Sequence, residues 1–141
     1  MWIWRLPLEP IVADVAKITG LDDFAASIDA LHNELRGALP DIVLDGATVI
    51  EAEIRARAPV RSGNLASAID TIETSSIDAA SAIVQVDDSA QGQQEHYAIF
   101  DEFGTSKQPA RPFFRPGVQA AAPRAQQLMV ERIASIIGDA Q

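Results

Sequence analysis

The chain reads as an α+β domain: a small antiparallel sheet of three to four strands packed against an N-terminal kinked helical pair and a C-terminal helix. Three observations predict this. Apolar residues recur at three- and four-residue spacing towards both ends, short β-type runs fill the middle, and Pro40 interrupts the first helical stretch. At 141 residues, the chain is long enough to bury one core without disulfides or metals. The expected division is an N-terminal extension or arm over 1–15 and a single domain over 16–141.

In the arm, Trp2, Ile3, Trp4 and Leu6 are apolar residues without an obvious amphipathic partner. Trp2 and Trp4 either reach a neighbouring molecule or fold back on their own domain. Arg5, Glu9 and two prolines interrupt this start, and nothing reaches the ~20 apolar residues of a membrane span. A soluble protein is expected, with no membrane partner.

From Leu21 to about Leu39, the residues Leu21, Phe24, Ala25, Ile28, Leu31, Leu35 and Leu39 trace one helical face after a Thr19–Gly20 start signal, with Asp22 and Asp23 in the first turn. Pro40 should break or kink the helix, because proline lacks the backbone donor and disfavours helix at Leu39. A second helical run carries Val43, Ala47, Ile50 and Ile54 on one stripe, with Arg55 and Arg57 near its end and Pro59 closing it. Residues 58–64 then form a turn signal. Three strands are expected at Leu65–Thr74, Ala80–Asp87 and Glu95–Phe103, with an exposed hairpin loop from Asp87 to Gln94. Val118, Ala121, Ala125, Leu128, Ile133 and Ile136 repeat at helical spacing, so a final helix should run to about Gly138, with Pro123 in its first turns.

The net charge of −9 is unevenly distributed: residues 65–104 carry eight acidic and no basic side chains, whereas residues 105–141 carry five basic and two acidic ones. Phosphate-driven, sequence-specific DNA binding would want a basic excess. An acidic middle and a basic tail can instead let copies attract one another head to tail, although a solvated surface with chance asymmetry has the same composition. Without cysteine there is no disulfide framework, thiolate zinc site or thiol nucleophile.

The densest signal is Tyr97 to Val118, YAIFDEFGTSKQPARPFFRPGV. It holds Tyr97, Phe100, Phe103, Phe113 and Phe114, five of the eight aromatic residues, and is stiffened by Pro109, Pro112 and Pro116. Gly104 and Gly117 mark places where the backbone needs unusual freedom. Such a clasp suits docking. Lys107, Arg111 and Arg115, interleaved with Phe113 and Phe114, have the arginine-plus-aromatic composition of an interface hot spot. The competing reading makes the phenylalanines core and the arginines solvated, and Phe113→Ala separates the two.

An enzyme, such as a metal-dependent hydrolase, would have to be built from His96, Asp101 and Glu102, with His32, Asp87 or Asp88 recruited from elsewhere. On a strand, His96 and Asp101 would point to opposite faces, and His96 and Glu102 would stand about 20 Å apart. No HExxH, GxxxxGK[ST], GxSxG or dinucleotide fingerprint is present. Ser62 and Ser106 lack a local base. No cofactor is expected, and a generic cytoplasmic binding module is the other alternative.

Two signatures carry a family resemblance. The first is Ala58, Pro59, Val60, Arg61, Ser62, Gly63 and Leu65; the second is Tyr97, Ala98, Glu102, Phe103, Gly104, Thr105, Pro109, Ala110, Pro112, Phe113, Arg115 and Pro116. In this order, over about residues 16–137, the chain resembles the tail-component (neck, head-to-tail connector) family of long-tailed bacteriophages, with serine where threonine is common. Residues 1–15 lie outside the resemblance. It implies a non-enzymatic virion protein, present in the host cytoplasm before assembly, that forms a hexameric ring at the head-tail junction. The ring would complete or terminate the tail and contact other neck proteins, the tail tube protein and head-completion or adaptor proteins. DNA would pass through it without sequence-specific binding. On this reading Phe103, Gly104, Thr105, Lys107, Arg111, Phe113, Phe114 and Arg115 form a subunit or partner interface, Asp87, Asp88 and Glu95 line the channel, and Trp2 and Trp4 make arm contacts.

Overall fold

The computed structural model describes residues 19–59, 64–76, 79–87 and 94–139. Their element order is α1 (Leu21–Arg57), α2 (Asn64–Ala68), β1 (Ile69–Glu73), β2 (Ala82–Val86), α3 (Gln94–Phe103) and α4 (Phe114–Asp139). The α+β class holds, but the sheet has two antiparallel strands rather than three to four.

The expected kinked pair is one helix of 37 residues running through Pro40. A proline inside a helix costs about 3 kcal/mol through its missing donor and ring clash, and packing on both sides of Pro40 outweighs that. Before and at the proline, Leu35, Leu39 and Pro40 share a depression with Ser76, Ala79 and Ala80 beside the hairpin. After it, Ile42, Gly46, Ala47 and Ile54 are buried. The start falls where expected, at Leu21 behind Gly20, whose φ of 100° lies in the left-handed region that glycine tolerates.

Helix α4 packs along α1 in the opposite direction. Gly46 meets Met129, Gly117 meets Ile54, and Asp45 pairs with Arg132. The contact is close because its residues are small: a Cβ on Gly117 would come within 2.8 Å of Ile54 Cγ1 and 2.9 Å of Ile54 Cα, and Ala47, Ala121 and Ala125 are buried along the same seam. Gly117 therefore serves helix approach, and its φ is not positive. The helix begins at Phe114, four residues earlier than its apolar periodicity, and continues through Pro123 and Gly138. Pro123 is thus interior, on the exposed side.

The hairpin pairs Ile69 with Val86 and Ile72 with Ile83. A lone two-stranded hairpin is marginal in water, and α1 supports this one. Arg55 Nη2 donates to Ile69 O at 2.6 Å and Arg55 Nε to Ala66 O at 3.0 Å, while Glu51 accepts from Thr71 Oγ1 at 2.5 Å and pairs with Arg55. Arg55 thus reaches across to the α2–β1 carbonyls besides standing at the α1 C-terminus. Ile54, Ala58, Leu65, Ile69, Ala98 and Phe113 close the core between these elements.

Two segments expected as strands are helical. Leu65–Ala68 falls in α2, so only Ile69–Glu73 of the first expected strand is extended. The run to Phe103 is α3. Its short apolar stretch fits either period, and burial of Ala98 and Glu102 with Phe100 exposed between them selects the helix, because a strand would put all three on one face. The chain after β2 therefore leads to a helix and not to a third strand. Residues 88–93 of the expected hairpin loop, residues 60–63 of the turn signal, and the arm with Trp2 and Trp4 lie outside the described residues.

Candidate assembly surface

The clasp is built around one buried carboxylate. Helix α4 starts after Pro112, and the carbonyl of Phe113 accepts its first helical bond from Gly117 N at 3.0 Å, which makes Phe113 the capping position. Phenylalanine offers no side-chain acceptor there, so the first N–H groups of α4 need one from elsewhere. Glu102, at the end of α3, supplies it: Oε2 accepts from Phe113 N at 2.8 Å and Phe114 N at 2.9 Å, and Oε1 from Arg115 N at 3.1 Å. Burial pushes the Glu102 pKa up, but the three backbone donors and the Arg115 guanidinium outweigh it and hold the carboxyl below its ordinary value.

Residues 104–111 form a compact turn on the same frame. Gly104 has φ 75°, and a Cβ there would lie 2.7 Å from Ala110 N and 2.9 Å from Gln108 O. Only glycine suits both the conformation and the space. Thr105 and Gln108 exchange backbone bonds at 2.8 and 3.3 Å, and Thr105 Oγ1 accepts from Lys107 N and Gln108 N. Asp101 fastens the turn to α3: Oδ1 accepts from Gln108 Nε2 at 2.9 Å and its carbonyl from Arg111 N at 2.6 Å.

The expected interface residues therefore divide into two groups. Gly104 and Thr105 hold the turn, and Phe113, 1 % exposed, belongs to the core of its own chain with Phe114 half-buried beside it. Phe103, 61 % exposed, faces outward with Lys107, Arg111 and Arg115. Arg115 stacks over the Phe103 ring at 4.7 Å and lies 3.8 Å from Glu102. Between β2, α3 and the start of α4 runs a groove of about 590 Å³ whose lining includes Val86, Asp87, Ile99, Phe103, Phe114 and Arg115. Of the expected channel residues, Asp87 is half-buried at this groove. Asp88 lies outside the described residues, as does the side chain of Glu95.

Helical α3 also turns outward a set of aromatics that a strand would divide between two faces. Tyr97, Phe100 and Phe103 lie three apart on the solvent side, with Ile99 exposed next to them. Because the segment is helical, the strand-parity argument against a His96–Asp101 site no longer applies. What stands against that site is that Asp101 and Glu102 are engaged in fastening the turn and α4. Among the described residues no group of His, Asp and Glu could hold a metal ion, and no helix is long and apolar enough to cross a membrane.

Residues 22–104, more than half of the chain, match the family described as "Bacteriophage HK97-gp10, putative tail-component". No curated protein and no solved structure matches the chain. The matched span runs from the first turn of α1 to the glycine that ends α3, so it takes in the hairpin and the outward aromatic face as well as the carboxylate that caps α4. The chain belongs to the HK97-gp10-like family of phage tail components.

Proposed function

We propose that this tail component is a structural, non-enzymatic protein that forms a hexameric ring at the head-to-tail junction of a long-tailed phage or phage-derived particle. There it completes or terminates the tail and docks it to the capsid connector. The observation that carries this reading is the outward face of α3, where Tyr97, Phe100 and Phe103 are exposed together beside the cations of the clasp. A contiguous aromatic surface rimmed by Arg and Lys has the make-up of a protein interface. The rigid turn behind it keeps that surface pre-organised, which reduces the ordering cost of association.

Other neck proteins, the tail tube protein and head-completion or adaptor proteins are the partners of such a ring. Its opening passes DNA without reading sequence. Asp87, Asp88 and Glu95, from the stretch between 65 and 104 that carries no basic side chain, line part of that opening, where like charge keeps phosphate from sticking. The test is a reconstruction of assembled particles alongside the charge reversal Arg111→Glu. The reading requires a closed annulus of this chain at the junction, weakened by the reversal in a salt-dependent way. A particle carrying the protein elsewhere, or as isolated single copies, refutes it.

A further inference from the structure

Among the described residues, helix α1 reaches beyond everything that packs against it. Asp45 lies opposite Arg132; from that point α4 has about two turns left before Asp139, whereas α1 has more than six turns back to Leu21. Every residue from Leu21 to Ala30 is exposed. Leu21, Phe24 and Ile28, at positions i, i+3 and i+7, form an apolar stripe along this projection, and Phe24 is 64 % exposed. A projecting helix of so few turns is marginal alone in water, and such a stripe is the anchor pattern of a helix that lies in a partner's groove.

We infer that the occupied groove is the α3–clasp surface of a second copy of this chain: the α1 projection of one subunit lies across Tyr97, Phe100 and Phe103 of the next. Charge selects this partner. Between Leu21 and Leu35 there are four acidic side chains and no lysine or arginine, and between Thr105 and Arg115 there are three basic side chains and no acidic one. Asp23 and Glu34 flank one side of the apolar stripe on the helical wheel, positioned to meet the rim of Lys107, Arg111 and Arg115. Two like projections would repel, and two like clasps would repel, so the pairing is heterologous, with a different surface offered by each partner. Repeated from copy to copy it supplies the contact that closes a ring, and in that respect it deepens the proposed function and rests on it.

The chain has no cysteine, so the contact can be read by directed cross-linking. A full-length chain carrying both Phe24→Cys and Phe100→Cys, at two exposed positions, is treated with a short bis-maleimide, both as concentrated purified protein and in assembled particles. The expected result is a ladder of covalent oligomers on a denaturing gel, absent from either single-cysteine chain and lost when Arg111→Glu is added. Absence of the ladder in both preparations, or a link confined within one chain, overturns the contact. Microscopy separates this from the ring itself. Annuli without a ladder leave the ring and remove the α1 contact, whereas a ladder in open filaments keeps the contact and removes the ring.

Discussion

Replacing Glu102 tests the frame on which the clasp is hung. Its carboxylate accepts three backbone N–H groups at the start of α4 from a nearly buried position. Losing a helix cap costs about 1 kcal/mol, hydrogen bonds to a charged group contribute about 1.5–3 kcal/mol, and a buried donor left without a partner costs a further 1–3 kcal/mol or so. These terms overlap, and the exposed side of Arg115 admits water, so Glu102→Ala should lose about 3 kcal/mol of folding stability at neutral pH. Glu102→Gln keeps one oxygen for Phe113 and Phe114 but turns an amide towards Arg115, and should lose about 2 kcal/mol. The pH dependence separates charge from shape. The folded carboxyl titrates below its ordinary value of 4.5, so on acidification the unfolded chain takes up the proton first. The stabilisation is then complete above that value and disappears as pH falls through the lower, folded one. Urea unfolding followed by circular dichroism should therefore show the wild-type advantage over Glu102→Gln shrinking in that acid window. An advantage under about 0.5 kcal/mol at neutral pH, or one equally large at the acid end, would refute the claim that an ionised Glu102 holds α4.

Other substitutions probe separate parts of the same frame. Gly104→Ala forces a side chain into a left-handed conformation and into the backbone of Ala110 and Gln108, and should lower stability by about 2–3 kcal/mol in urea titration. Gly117→Ala should cost about 2–3 kcal/mol by driving α4 off α1; trimming Ile54 should not restore it, because Ile54 Cα and N also stand at 2.9 and 3.2 Å from the added carbon. Phe113→Ala should cost about 3–5 kcal/mol and loosen the monomer, whereas Phe103→Ala, on the exposed face of α3, should change the melting temperature little and act on assembly, as sedimentation and melting curves can check together.

How much of this was legible in the sequence varies with the kind of signal. The long helices were, because Leu21 to Leu35 and Val118 to Ile136 keep one period over several turns, which a strand cannot imitate. Pro40 misled because its penalty is local, whereas the packing that overrides it comes from the hairpin and α4, neither of which is adjacent in sequence. The clasp was legible as a rigid feature through its prolines and Gly104. The role of Glu102 was not, since a carboxylate next to Asp101 in an acidic chain resembles solvated surface. A cue was nevertheless present: Pro112 announces a helix start, Phe113 cannot cap it, and the nearest upstream acids are Asp101 and Glu102. The outward stripe of α1 was visible only as half of an amphipathic pattern, since spacing shows which residues share a face and not whether anything lies against it.

The helical state of α3 decides what the aromatic segment can do. On a strand, successive side chains alternate, so Tyr97 and Phe103 would share one face and Phe100 would point away through the sheet. On a helix, Ala98 and Glu102 fall together on the inner side, one packing into the core and the other capping α4, while Tyr97, Phe100 and Phe103 emerge outward. The residues that anchor the helix and those that form its surface are thus interleaved in one short segment. A substitution that weakens the Glu102 cap should therefore also disturb the orientation of the aromatic face, lowering assembly even where the fold survives. Measuring assembly of Glu102→Gln under conditions where circular dichroism shows it fully folded isolates that link: unimpaired assembly would mean that the aromatic face keeps its place without the cap.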